Sequence, residues 1–174
     1  MKRYLPLFLI SAIIIALDQW TKSLVRNFLP VGGDWVPFPA LSFFRIVHWY
    51  NSGAAFGLFQ NGGLFFTVVA ILVAVLIVYY YPRLTGDDWL LRLALALQLG
   101  GAIGNLIDRL QMGMVTDFIS VGRFPVFNIA DSSITIGTAL LLLGSWLYER
   151  RQKSLSASEA YGTPGDAPLQ QRDS

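Results

Sequence analysis

Cysteine is absent from this 174-residue chain, and histidine occurs once, as His48. The first absence excludes disulfides, thiolate catalysis, cysteine-built metal sites and lipidation of the chain on a cysteine of its own. The second leaves no histidine-built zinc site. Charge is also scarce: Asp, Glu, Lys and Arg make up 14% of residues, and the formal net charge of +2 comes from scattered Lys and Arg. That pattern gives no basic patch for nucleic acid. The nucleophile-elbow pattern G-x-S-x-G is missing, so a serine mechanism would rest on His48 beside Ser52, Ser132 or Ser133. "GGAIGN" (100–105) follows no strand and lacks the spacing of a dinucleotide fingerprint. Neither a metal nor an organic cofactor is expected.

What the chain has in abundance is apolar residues: 54% are hydrophobic and the mean hydropathy is +0.52, outside the balance of a soluble domain. A helix needs ~20 mostly apolar residues to cross hydrocarbon. Four windows qualify, at about 5–24, 64–81, 90–107 and 132–148. The second carries no charge and stops at Pro82, which cannot continue helix hydrogen bonding. The first resembles a signal peptide at its start, but "DQWTK" replaces any small-x-small cleavage pattern, so a retained anchor is expected. Lys2, Arg3, Arg83, Arg92, Arg150, Arg151 and Lys153 outweigh the basic residues of the other side, which puts both termini in the cytoplasm.

The expected fold is therefore a membrane α-helical protein: a four-transmembrane-helix bundle with a small extracytoplasmic β-containing subdomain at 27–63. Within that segment "FFRIVHW" reads as a strand and "NSGAAFG" as a turn back to the membrane. Residues 1–153 form one membrane domain, and 154–174, rich in Ser, Gly, Pro and Gln, are expected to be a disordered cytoplasmic tail.

On this layout Asp18, Lys22, Asn51, Asn105, Asp108, Arg109, Asp117, Asn128 and Asp131 all fall near the outer membrane face. A charged side chain at a helix centre costs about 2.5–3.5 kcal/mol on insertion scales, so each needs an offsetting role. Asp131 alone reads as the N-cap of the fourth span, Asp117 as a loop acid, Asp108 with Arg109 as an ion pair, and Asp18 with Lys22 as an i,i+4 pair. Gly100 and Gly104 read as helix packing. Asp117 and Asp131 together admit a sharper reading. One continuous helix would hold them ~21 Å apart at ~1.5 Å per residue, but Gly122 and Pro125 break the segment and let it fold back. Two carboxylates ~4 Å apart repel by about 4 kcal/mol at an effective dielectric of ~20, equivalent to ~3 pKa units, so they share one proton near neutrality. Such a dyad hydrolyses peptides without metal, cysteine or histidine.

"DQWTK" (18–22), "NSGAAFG" (51–57), "GGAIGNLIDR" (100–109), "VTDF" (115–118) and "FNIADSSITIG" (127–137) occur in order, and together they resemble the lipoprotein signal peptidase (signal peptidase II) family of aspartic peptidases. The resemblance spans about residues 5–148. It implies an endopeptidase of the bacterial inner membrane that removes signal peptides from diacylglyceryl-modified prolipoproteins just before the lipidated cysteine. Asp117 and Asp131 would then be the catalytic pair. Asn51, Gly53, Asn105, Arg109 and Asn128 would line the site and hold substrate backbone, with Asp18, Lys22 and Asp108 supporting its shape. Cyclic peptide antibiotics such as globomycin would occupy the same site. Ser52 stands where such proteins often carry Thr or Pro. The segment around Asn51 is expected to cover the site. The alternative is a small proton-coupled membrane transporter, which would string polar residues through the bilayer.

Overall fold

The computed structural model describes residues 3–53, 62–84 and 89–160. Helix α1 spans Leu5–Phe28. It is followed by strand β1 (Asp34–Trp35), a 3-10 turn at Pro39–Leu41 and strand β2 (Phe44–Asn51). Helix α2 (Gly63–Tyr80) runs into a 3-10 turn at Tyr81–Arg83. Helix α3 (Trp89–Met112), strand β3 (Val115–Val121) and helix α4 (Ile129–Ala160) complete the chain. All four helices are long and apolar enough to cross a membrane.

Helix α1 carries Pro6 in its first turn, where a missing N–H costs nothing. It ends at Leu29, which is extended because Pro30 follows, and the Leu29 N–H caps back to Val25 O at 3.0 Å. Helix α2 is the most apolar span and the least buried, with 6% of its hydrophobic window covered by protein; α3 has 44% covered and lies at the centre of the bundle. The difference follows from side-chain size. At Gly100 a Cβ would stand 2.8 Å from Ile14 Cβ of α1, at Gly104 2.8 Å from Asp18 Oδ2, and at Gly101 2.5 Å from Ala130 O of α4. Bare backbone on α3 thus admits α1 on one side and α4 on the other, as expected for Gly100 and Gly104.

The sheet is antiparallel in the order β1-β2-β3. β1 and β2 lie between α1 and α2 as expected, but the third strand comes from the α3–α4 connection. β3 brings Asp117 opposite Trp49 and Val115 opposite Asn51. After β3, Gly122 adopts a φ of +56°, open to glycine at no steric cost. The chain then folds back so that Phe127 bridges Ile119. This is the reversal expected from Gly122 and Pro125.

Two boundaries differ from expectation. Helix α4 starts at Ile129, before the expected Ser132, because Asn128 caps it. It also continues past the expected span end at Tyr148 to Ala160, so residues 154–160, expected to be disordered, are helical. A Glu149–Lys153 i,i+4 pair and Ser156 bonded to Gln152 O support the extra turns. The strong breakers, Gly162 and Pro164, come only later. Residues 54–57 of the "NSGAAFG" segment and 161–174 of the tail lie outside the described residues.

Candidate active site

The site rests on a buried ionic cluster at the C-terminal ends of α1 and α3. Asp18, Lys22 and Asp108 are fully buried. An ammonium has three protons to donate, and Lys22 Nζ meets three acceptors: Asp18 Oδ2 at 2.8 Å, Asp108 Oδ2 at 3.2 Å and Asn105 Oδ1 at 2.9 Å. Burying these charges is tolerable only because each is paired and hydrogen-bonded. Asp18 Oδ1 also accepts from the Ala130 N–H at 3.0 Å, which places a carboxylate at the positive N-terminus of α4. Asp108 Oδ2 accepts from the Thr116 N–H at 2.9 Å and so ties α3 to β3. The expected Asp108–Arg109 ion pair is not what forms: Asp108 faces Lys22 and Arg26 (3.6 Å). Adjacent helix residues point about 100° apart, and Arg109 is directed elsewhere.

Lys22 also fixes the next layer. Because it can only donate, the Asn105 amide must turn its oxygen toward Lys22, and its Nδ2 then donates to Asp131 Oδ1 at 2.7 Å. Asn128 Nδ2 donates to the same Asn105 oxygen at 3.1 Å and to Asp117 Oδ1 at 2.7 Å. At the start of α4, Asn128 Oδ1 accepts from the Asp131 N–H at 2.9 Å, and Asp131 Oδ2 accepts from the Asn128 N–H at 3.2 Å. This is a reciprocal capping box. The cap is therefore Asn128, and Asp131 is the third helical residue, a correction to the expectation that Asp131 itself caps. Asp117 Oδ2 accepts from Asn51 Nδ2 at 2.9 Å. That contact follows from the β2–β3 register, which makes the two residues diagonal neighbours. Asn51 Oδ1 accepts from the Gly53 N–H at 3.0 Å, a side-chain turn that holds the amide.

Asp117 is 1% exposed, so it is not a loop acid. Burial and then the nearby Asp131 charge push its carboxyl up to about 7, against the opposing pull of the Asn51 and Asn128 hydrogen bonds and of Lys22. Both carboxylates line a cavity of about 570 Å³, together with Asn51, Gly53, Asn105 and Arg109. Phe124, Phe127, Ile134 and Ile136 supply apolar walls. The Arg109 guanidinium lies over the Phe66 ring at 5.5 Å from its centre. Lys22, Arg26 and Arg109 stand against Asp18, Asp108 and the Asp117–Asp131 pair, so formal charge balances when that pair keeps one proton. Among the described residues no group of three or more His, Cys, Asp or Glu side chains could hold a metal ion.

Residues 10–147 match the family model described as signal peptidase (SPase) II. The chain belongs to the signal peptidase II family. It is 45% identical over 138 residues to a lipoprotein signal peptidase of Moorella thermoacetica, covering 79% of this chain and 90% of that one. It is 42% identical to the lipoprotein signal peptidase of Acinetobacter baumannii, covering 82% and 84%. A solved structure described as a bacterial membrane enzyme superposes with a TM-score of 0.77 at 33% identity, covering 84% of this chain and 90% of that one. A second, described in the same way, gives 0.71 at 34% identity.

The residues expected to form the signal peptidase II site fall into two groups. Asn51, Gly53, Asn105, Arg109, Asp117 and Asp131 face the cavity, whereas Asn128, Asp18, Lys22 and Asp108 are buried behind it. The sequence reading missed Gln19, Arg26 and Thr116. Gln19 Nε2 donates to Gly104 O (3.0 Å) and Asp108 Oδ1 (3.1 Å); Arg26 donates to Thr116 Oγ1 (3.1 Å). Arg26 lies one turn beyond Lys22 and two beyond Asp18, and that i,i+4 recurrence was the available signal.

Proposed function

We propose that this protein is an aspartic endopeptidase that cleaves the signal peptide from prolipoproteins, with Asp117 and Asp131 as its catalytic dyad. The observation that carries the assignment is the shared side chain of Asn128, which binds Asp117 and caps Asp131 on the rim of one cavity. The ionised carboxylate takes a proton from water as the water oxygen attacks the scissile carbonyl carbon. The protonated carboxyl gives its proton to the carbonyl oxygen, producing a neutral gem-diol. On collapse the carboxyl that is now ionised takes the proton of one diol hydroxyl, whose oxygen becomes the carbonyl of the new acid, the peptide C–N bond breaks, and the leaving nitrogen receives a proton from the other carboxyl of the dyad.

Asn51, Asn105 and Asn128 hold the dyad, Asn51, Gly53 and Asn105 face the cavity where substrate backbone would lie, and Arg109 supplies a cation at the cavity wall. The apolar wall of Phe124, Phe127, Ile134 and Ile136 suits the acyl chains of a diacylglyceryl-modified substrate entering from the lipid. Cyclic peptide antibiotics such as globomycin would compete for this cavity. The Lys and Arg distribution supports cytoplasmic termini in the bacterial inner membrane and a site at the extracytoplasmic face. A transporter would need polar groups through the depth of the bundle. The buried charged residues described, Asp18, Lys22, Asp108 and Asp117, gather at the sheet end, and α2 has no charged residue.

The test is cleavage of a purified diacylglyceryl-modified prolipoprotein by wild type, Asp117→Asn and Asp131→Asn. Either substitution should abolish cleavage while the helices stay folded; full cleavage by both variants would refute the dyad.

A further inference from the structure

A second recess, of about 780 Å³, opens at the other end of the bundle from the dyad. Its walls are apolar: Phe8 from α1, Ala74 and Val78 from α2, Leu99 and Ile103 from α3, with Arg83 at the rim. The Arg83 side chain is exposed, and its guanidinium lies over the rings of Tyr79 and Tyr80 at 4.1 and 4.8 Å from their centres. Among the described residues these two rings, which stand at 85° to each other, are its partners. Arg3 and Arg92 both donate to the Leu84 carbonyl, next in sequence, at 3.1 and 2.7 Å. Two guanidinium groups therefore meet on the backbone of the residue that follows Arg83, where α1, α2 and α3 come together.

We propose that this recess is a binding site for an anionic phospholipid of the surrounding leaflet, with an acyl chain along the apolar wall and the phosphate on Arg83. These cation–π contacts hold the guanidinium at the rim of the recess without a hydrogen bond, so its N–H donors stay available to a phosphate, which a planar guanidinium meets in bidentate fashion. Basic pockets between membrane helices select anionic headgroups in this way. A free phosphate would use the rim and leave the apolar recess unfilled, so the lipid is the occupant that uses both features.

The full chain in detergent is titrated with phosphatidylglycerol or phosphatidylcholine of matched acyl chains, and retained lipid is counted by native mass spectrometry. Wild type should retain phosphatidylglycerol preferentially. Arg83→Gln should weaken that retention about five-fold, the worth of one interfacial basic side chain, without changing phosphatidylcholine. Val78→Trp should displace both lipids, and Arg83→Gln should still cleave prolipoprotein at the wild-type rate. Equal retention of the two lipids overturns the proposal. So does a preference that survives Arg83→Gln, or displacement of the lipid by equimolar inorganic phosphate.

Discussion

Lys22 donates to Asn105 Oδ1 at 2.9 Å, and this contact decides which end of the Asn105 amide faces Asp131. The ammonium therefore holds the ionic cluster together and also orients a donor toward one carboxylate of the dyad. Lys22→Met leaves Asp18 and Asp108 buried without their shared cation. Removing one partner of a buried pair costs about 3–5 kcal/mol. The expected outcome is a thermal midpoint in detergent lowered by several degrees. Cleavage should also be lost at temperatures where the variant is still folded, since Asn105 is no longer oriented. An unchanged midpoint would show that water or a relaxed packing replaces the ammonium.

The close approach of α3 and α4 at Gly101 leads to a second prediction. A Cβ there would stand 2.5 Å from both Ala130 O and Ser133 Oγ, next to Asp131 in α4. Gly101→Ala must push α4 outward, at an overpacking cost of about 1–3 kcal/mol. A displacement of ~1 Å at the dyad lowers turnover about a hundred-fold. Gly144→Ala is the control. Its Cβ would meet Leu91 Cδ2 at 2.7 Å, the far end of a flexible side chain remote from the dyad, and its turnover should stay within about two-fold of wild type, an estimate based on the same geometric argument.

These contacts separate what could be read from sequence and what could not. Helix α2 was plain because eighteen residues without charge end at a proline. The acids were plain as a group because ionisable side chains are costly at a membrane boundary. Strand β3 was hidden: Val115–Phe118 are all buried, so the alternation that marks a half-exposed strand is absent. Asp108 illustrates a different limit. Its partners Lys22 and Arg26 sit on another helix, and sequence adjacency favoured Arg109. Asn128 and Asp131 both suit an N-terminus, and only the backbone bonds show which of them caps α4.

The pH profile should report the proton that the dyad keeps. Asp117 is held up to about 7 by burial and by the Asp131 charge, and the pair titrates as a unit. Above that value the proton leaves and kcat/KM should fall about tenfold per pH unit. Asn51 donates to the ionised form of Asp117 and so lowers its pKa. Asn51→Ala should therefore move the alkaline limb to higher pH, whatever it does to the maximal rate. A limb that stays in place would assign that ionisation to another group.

The same carboxyl links pH to stability. The native pKa of Asp117, about 7, lies above the ordinary value of 3.8, so between those values the folded chain holds a proton that the unfolded chain has lost. Stability then falls as pH rises. The contribution of Asp117 is fully present below 3.8 and is lost as pH rises through about 7. Asp117→Asn has no proton to lose, so the difference in thermal midpoint between wild type and variant should change across this window and flatten on either side of it. Subtracting the two curves cancels the exposed carboxylates that titrate in both proteins. A difference that stays constant from pH 4 to 8 would mean that Asp117 is ionised throughout, and that a shared proton on the dyad must be held by Asp131 alone.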